Sequence, residues 1–190
     1  PCPSLFAAQA IQRQNKQKII VSFQGTAPTN TQRTDADVRD YMVKLLQKLT
    51  EQYSCSVIAH YVDELPELSD IIPEDVDLIY HADAADYINT YDQFDMVVTT
   101  RVHGAGLAAA LGIPAFVVAH SHRSQTAEGF LAELIDTKQN TVNDVSDLID
   151  NFDNAARSEI VVKHQSVVKD LYLELLHPAL MPVRRNNAPS

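Results

Sequence analysis

Two short runs hold the residues best suited to chemistry. Arg101-Val102-His103-Gly104 sets a permanent cation two residues from an imidazole and follows them with a glycine, and His120-Ser121-His122-Arg123 brings similar groups together after an apolar run. Histidine gives or takes a proton near neutral pH, and the planar fork of arginine grips phosphate or carboxylate. Together they suit a reaction on a small anion. No Asp or Glu occurs between Asp95 and Glu128, although the 190-residue chain carries 25 acidic against 15 basic side chains, a net charge of -10. A basic island in an acidic chain points to one anion pocket, not to a general nucleic-acid surface, which needs a basic face.

The elements that must position these runs read as an α/β chain. Lys18 to Phe23 (KIIVSF) is compact and β-branched, and the Gly, Pro and Asn of QGTAPTN after it mark a turn. A helix starting at Asp35 or Asp37 carries apolar residues at Val38, Met42, Leu45, Leu46 and Leu49, a helical spacing. Further strands are expected in SVIAHYV, DLIYHA, DMVVTT and PAFVVAH, with helices over DYINTYDQF, HGAGLAAALG and SQTAEGFLAELID. ELPELSDIIPEDV, with two prolines and clustered acids, reads as a loop with at most a short helix. Five apolar strands alternating with helices predict a doubly wound, mostly parallel sheet in a Rossmann-like domain. From Asp144 onward the pattern is helical only, with a long helix from about Asn154 to Leu176. The expected layout is a linker over 1–17, the domain over 18–177 and a flexible tail over 178–190.

In that topology Arg101 and His103 fall just past the carboxyl end of the fourth strand, and His120, His122 and Arg123 just past the fifth. Ligands of open parallel sheets bind outside the carboxyl ends of the strands, so both runs should reach one rim. The helix beginning near Gly104 adds unpaired N–H groups and the positive end of its dipole, and Gly104 and Gly106 leave room for an anion. The candidate catalytic residues are His103 and Arg101; the candidate substrate-binding residues are Arg101, Gly104, Ala105, His120, Arg123 and Ser124. His60, His81, His164 and His177 read as surface or internally satisfied residues, while His120 and His122 either line the rim or end the strand. Gly104 to Ala109 also matches the dinucleotide pattern G-x-G-x-x-A, with Arg123 near the place of a 2'-phosphate reader. There, however, glycine follows the strand directly, whereas here Arg-Val-His intervenes.

The stretch DMVVTTRVHGAGLAAALGIPAFVVAHSHRS, from Asp95 to Ser124, resembles the signature of the polysaccharide pyruvyl transferase family, and CPSLF near the start resembles the segment joining the two halves of such enzymes. The resemblance implies a GT-B-type architecture of which this chain is the C-terminal, donor-binding domain. It implies phosphoenolpyruvate as donor, a saccharide as acceptor, and a role in exopolysaccharide biosynthesis. Arg101 would bind phosphate or carboxylate, His103 would be the acid or base, and Arg123 would be a second cation. Ketal formation requires protonation of the donor's methylene carbon, attack by a sugar hydroxyl on the adjacent carbon and loss of phosphate, which calls for a proton donor beside fixed positive charge. The chain departs from the family where Ser121 and His122 replace an acidic and a small residue. It departs again at the end of the first strand, where Gln24 and Gly25 stand in place of an arginine and Arg33 is displaced.

Two other readings compete: a GT-B glycosyltransferase domain holding a nucleotide sugar, and a non-catalytic anion-binding domain. No cofactor is expected, and no metal, since the histidines of the island lack accompanying carboxylates or thiolates. Cys2 and Cys55 are too few for a disulfide framework, which fits a cytoplasmic setting. The longest apolar stretch, Ala105 to Ala119, is interrupted by Gly112 and Pro114, so no membrane span is expected. The chain opens without an initiator Met and reads as a fragment of something longer, and a homo-oligomer is compatible with it.

Overall fold

The computed structural model describes residues 3–24 and 36–180, with side chains as far as residue 176. Cys2, Gly25, Arg33, Asp35 and most of the expected turn after the first strand lie outside the described residues, as do the His177 side chain and residues 181–190 of the expected tail. Six strands form one parallel sheet: β1 (Lys18–Ser22), β2 (Ser54–Ile58), β3 (Asp77–Ile79), β4 (Met96–Thr99), β5 (Ala115–Val118) and β6 (Glu133–Ile135). Their order is β3-β2-β1-β4-β5-β6. The direction of winding reverses between β1 and β4, which opens a crevice at their carboxyl ends.

Strand side chains alternate between two cores. Ile19, Val21, Met96, Val98, Phe116 and Val118 face one side, where α1 (Ala36–Thr50), α2 (Leu65–Ile71) and α5 (Val142–Asp150) pack. Ile20, Val97, Ala115 and Val117 face the other, covered by α3 (Ala84–Tyr91), α4 (Val102–Ala110) and α6 (Asn154–Leu180). Both faces are buried, which is why the strands read as unbroken apolar runs. The apolar stripe expected on α1 is the buried one. The initial segment packs against the second core through Leu5, and the Ile11 N–H donates to the Leu111 carbonyl at 3.3 Å.

One expected element is corrected. The stretch read as a helix over 124–136 forms 3-10 turns over His122–Phe130, then turns into β6 at Leu131, whose φ is 57°. Pairing Phe116, Val117 and Val118 of β5 with Glu133, Leu134 and Ile135 satisfies the β5 edge, and this tertiary pairing overrides the local helical pattern. α4 ends in a Schellman arrangement: Gly112 has φ +76° while the Ile113 N–H reaches the Ala108 carbonyl at 2.9 Å. Among the described residues no helix is long and apolar enough to cross a membrane.

Candidate functional site

The carboxyl ends of β1, β4 and β5 enclose a cleft of about 360 Å³, lined by Gln24, Thr100, Arg101, His103, His120 and Arg123 with Tyr61 on the rim. The two basic runs of the sequence thus meet, and Gln24, just past the end of β1, lines the same cleft. His103 is exposed in the first turn of α4, and Arg123 is exposed in the 3-10 segment.

α4 is open toward the cleft. Asp83 caps α3 by accepting from the Ala85 N–H, and Thr141 with Asp144 forms a capping box on α5, whereas no side chain caps α4. The early N–H groups of a helix lack intrahelical partners and carry the positive end of the dipole, so the start of α4 favours an anion. Gly104 and Ala105 are buried and turn inward. A Cβ on Gly104 would sit 3.2 Å from Thr99 Oγ1 and 3.3 Å from Tyr91 Oη, so its hydrogen serves helix-to-sheet packing. The Ala105 N–H already donates to the Arg101 carbonyl at 3.2 Å. Gly106 faces Ser4 and Phe130 rather than the cleft, which makes packing and not anion approach the reason for that glycine.

Arg101 is the most constrained cation here. Its side chain is only 9% exposed and forms an ion pair with Glu64, itself 1% exposed, while its guanidinium lies 5.2 Å from the centre of the Tyr61 ring. The other Glu64 oxygen accepts from the His60 N–H at 3.2 Å and the Tyr61 N–H at 3.3 Å. The Arg101 backbone N–H donates to Thr99 Oγ1 at 2.8 Å, which fixes the exit from β4. Arg101 Nε and Thr100 Oγ1 are buried without partners. Burial lowers the His120 pKa below its ordinary value; a hydrogen bond with the Val118 backbone opposes this, and the Arg101 charge adds to it.

Ser124 is buried, and its Oγ accepts from the His120 N–H at 3.2 Å, which shapes the loop from within. His122 lines a neighbouring depression with Asp37, Tyr41, Asp136 and Lys138, not the cleft. His60 donates to or accepts from Tyr91 Oη at 3.1 Å; burial, with the charges of Arg101 and His103, pushes its pKa down to about 3. His81 pairs with Thr90 Oγ1 and His164 with the Gly129 carbonyl, internally satisfied as expected. Glu64 and Tyr61 escape the sequence reading, because Glu64 belongs to an acidic cluster that looks like ordinary solvated surface.

The sequence matches the family model described as polysaccharide pyruvyl transferase over residues 1–122. No curated protein matches it. Among solved structures it is similar to UDP-GlcNAc 2-epimerase from Neisseria meningitidis bound to UDP-GlcNAc, at 13% identity and TM-score 0.53 over 85% of this chain and 45% of that one. The S. aureus MnaA-UDP co-structure is 16% identical, TM-score 0.55, over 85% of this chain and 46% of that one. E. coli heptosyltransferase WaaC with ADP is 13% identical, TM-score 0.52, over 76% and 46% respectively. The chain spans about half the length of the solved structures it matches, and at such identities the likeness shows the fold alone, Rossmann-like and of the GT-B type.

Proposed function

The chain belongs to the polysaccharide pyruvyl transferase family, and we propose that it is the donor-binding half of an enzyme that transfers pyruvate from phosphoenolpyruvate to a saccharide as a ketal. The observation that supports this best is the meeting of Arg101, His103, His120 and Arg123 around one cleft at the uncapped start of α4. Arg101 and Arg123 hold the donor's phosphate and carboxylate, with the α4 N–H groups adding fixed positive charge. Protonated His103 delivers its proton to the methylene carbon, which becomes the methyl group. One sugar hydroxyl adds to the neighbouring carbon, the C–O bond to phosphate breaks, and a second hydroxyl closes the ketal. Of the two hydroxyl protons released, one replaces that lost by His103 and the other leaves with phosphate. Arg101 and Arg123 stabilise the charge that develops on the departing phosphate. His120, which lines the cleft, serves as a hydrogen-bonding group toward the substrate. The linker and domain keep the bounds of the sequence reading, although α6 continues to Leu180, into the expected tail, and the acceptor is held mainly outside this chain.

The test is phosphate release from phosphoenolpyruvate by the full-length protein over a panel of saccharides. His103→Ala should lower turnover by about 10²- to 10⁴-fold, the range of general acid catalysis; unchanged turnover would remove His103 from the mechanism. A nucleotide-sugar donor is the second reading, supported by the nucleotide-bound proteins of similar fold. Thermal unfolding with phosphoenolpyruvate, nucleotide sugars or NADPH separates these, since a bound ligand raises apparent stability. Stabilisation by a nucleotide sugar and not by phosphoenolpyruvate would favour the second reading.

A further inference from the structure

Glu64 is the one buried acidic or basic residue among the described residues, and it lies directly behind the proposed donor site. One of its carboxylate oxygens closes the capping box of the Val62–Glu64 turn, which leaves the other free to face Arg101. Glu64 stands where the 3-10 turn Val62–Glu64 enters α2, and its charge is taken up by Arg101 on one oxygen and by the His60 and Tyr61 N–H groups on the other. A cation whose only task was to attract an anion would bind it best with no resident carboxylate. Instead the most enclosed guanidinium of the cleft is already partly neutralised.

We propose that Glu64 is a positioning residue of the anion site that acts through Arg101, holding the guanidinium in place and offsetting its charge so that phosphate is bound weakly enough to leave. This rests on the reading of the cleft as a phosphoenolpyruvate site. That reaction makes the offset useful. A cleft with Arg101, Arg123 and the open α4 end would retain inorganic phosphate strongly in the absence of a counter-charge, because the interaction acts across a partly desolvated pocket. The Glu64 carboxylate contacts the same guanidinium that the anion approaches, so it repels that anion over about the width of one side chain. Tyr61, against the guanidinium face, and the two backbone N–H groups keep the pair from separating. Donor and product phosphate are therefore both held less tightly than the arginines alone would hold them, and the product is freed.

The sign of the effect separates this role from a purely structural one. In the full-length protein, Glu64→Gln keeps the side-chain size and removes the charge; Glu64→Met keeps the length and removes polarity as well. Inorganic phosphate and phosphoenolpyruvate are titrated calorimetrically against wild type, both variants and Arg101→Gln, with thermal unfolding as the check of folding. Either folded Glu64 variant should bind phosphate at least tenfold tighter, about 1.4 kcal/mol, and show correspondingly stronger product inhibition, whereas Arg101→Gln should bind it much more weakly. A structural role predicts weaker binding in the Glu64 variants as well. Unchanged or weaker binding in a folded Glu64 variant overturns the inference, and so does failure of both variants to fold, which would assign Glu64 to the fold alone. If wild type binds neither anion, the phosphoenolpyruvate reading fails and the inference falls with it. If wild type binds both anions, Arg101→Gln binds neither and the Glu64 variants match wild type, only the inference fails.

Discussion

The two ends of the parallel sheet treat their polar groups in opposite ways. At the amino-terminal end, Asp95 Oδ2 accepts from the Gln17 and Lys18 N–H groups at 3.0 Å each, and Lys16 Nζ reaches the carbonyls of Ile149, Asp150 and Phe152 at the end of α5. Asn154 Nδ2 donates to the Asn15 and Asp95 carbonyls there. At the carboxyl end, Thr100 Oγ1 and Arg101 Nε, in residues that line the cleft, are buried without partners. Buried polar groups are normally satisfied, and a cluster of exceptions calls for an explanation. Most polar groups at the amino end join the chain to itself, whereas the carboxyl end gathers arginine and histidine side chains around the cleft.

The largest expected effect is at the carboxyl end. Arg101→Gln should remove donor binding and also cost about 3–5 kcal/mol of stability, because it leaves Glu64 buried and unpaired. Denaturant unfolding and phosphate titration on the same sample read both losses. Retained phosphate affinity would show that the ion pair serves the fold and that the anion is held elsewhere.

Gly112→Ala should cost about 2–3 kcal/mol. A Cβ there would stand 2.3 Å from the Ile11 carbonyl oxygen at a φ of +76°, so close contact and backbone strain act together. It lies at the far end of α4 from the cleft, so phosphate affinity measured in the folded fraction should not move. Asp95→Asn should cost less, about 1–2 kcal/mol, by weakening two hydrogen bonds to backbone donors. It too should leave the phosphate Kd unchanged, although Asp95 opens the stretch that resembles the family signature. A changed Kd in either variant would mean that the two ends of the sheet are coupled and the contrast between them is false.

How much of this was legible in the sequence depended on the range over which each signal acts. β1, β4, β5 and the buried stripe of α1 announce themselves because burial on one or two faces sets the apolar pattern within a few residues. Arg101, His103 and Arg123 were legible because the topology of a parallel sheet sends its strand ends to one rim. β6 was not, since Phe130, Leu131, Leu134 and Ile135 have helical spacing and become turn and strand only through pairing with β5. Glu64 was hidden for a like reason: its burial depends on Arg101, 37 residues away, and nothing local sets it apart from Glu67 or Asp63. The burial of Ser124 beneath the His120 backbone, likewise, is a property of the folded loop and not of its composition.

The smallest effect at neutral pH concerns His60, on the cleft side of the sheet, whose ring has a folded-state pKa of about 3 against an ordinary value of 6.5, through burial first and then the charges of Arg101 and His103. The folded protein keeps this ring neutral while the unfolded chain protonates it below pH 6.5, so the unfolded state binds more protons and gains as pH falls. His60 therefore costs nothing above pH 6.5, and stability drops between that value and about pH 3 by up to about 1.4 kcal/mol per pH unit. His120 adds to this drop in the same direction. His60→Gln keeps a hydrogen-bonding partner for Tyr91 Oη but cannot be protonated, so it should flatten the slope that urea unfolding at pH 7, 6 and 5 reveals in wild type. The difference should reach about 1–2 kcal/mol at pH 5. An equal slope in the variant would move the origin of acid sensitivity from His60 to His120, and with it from the back of the cleft to its mouth.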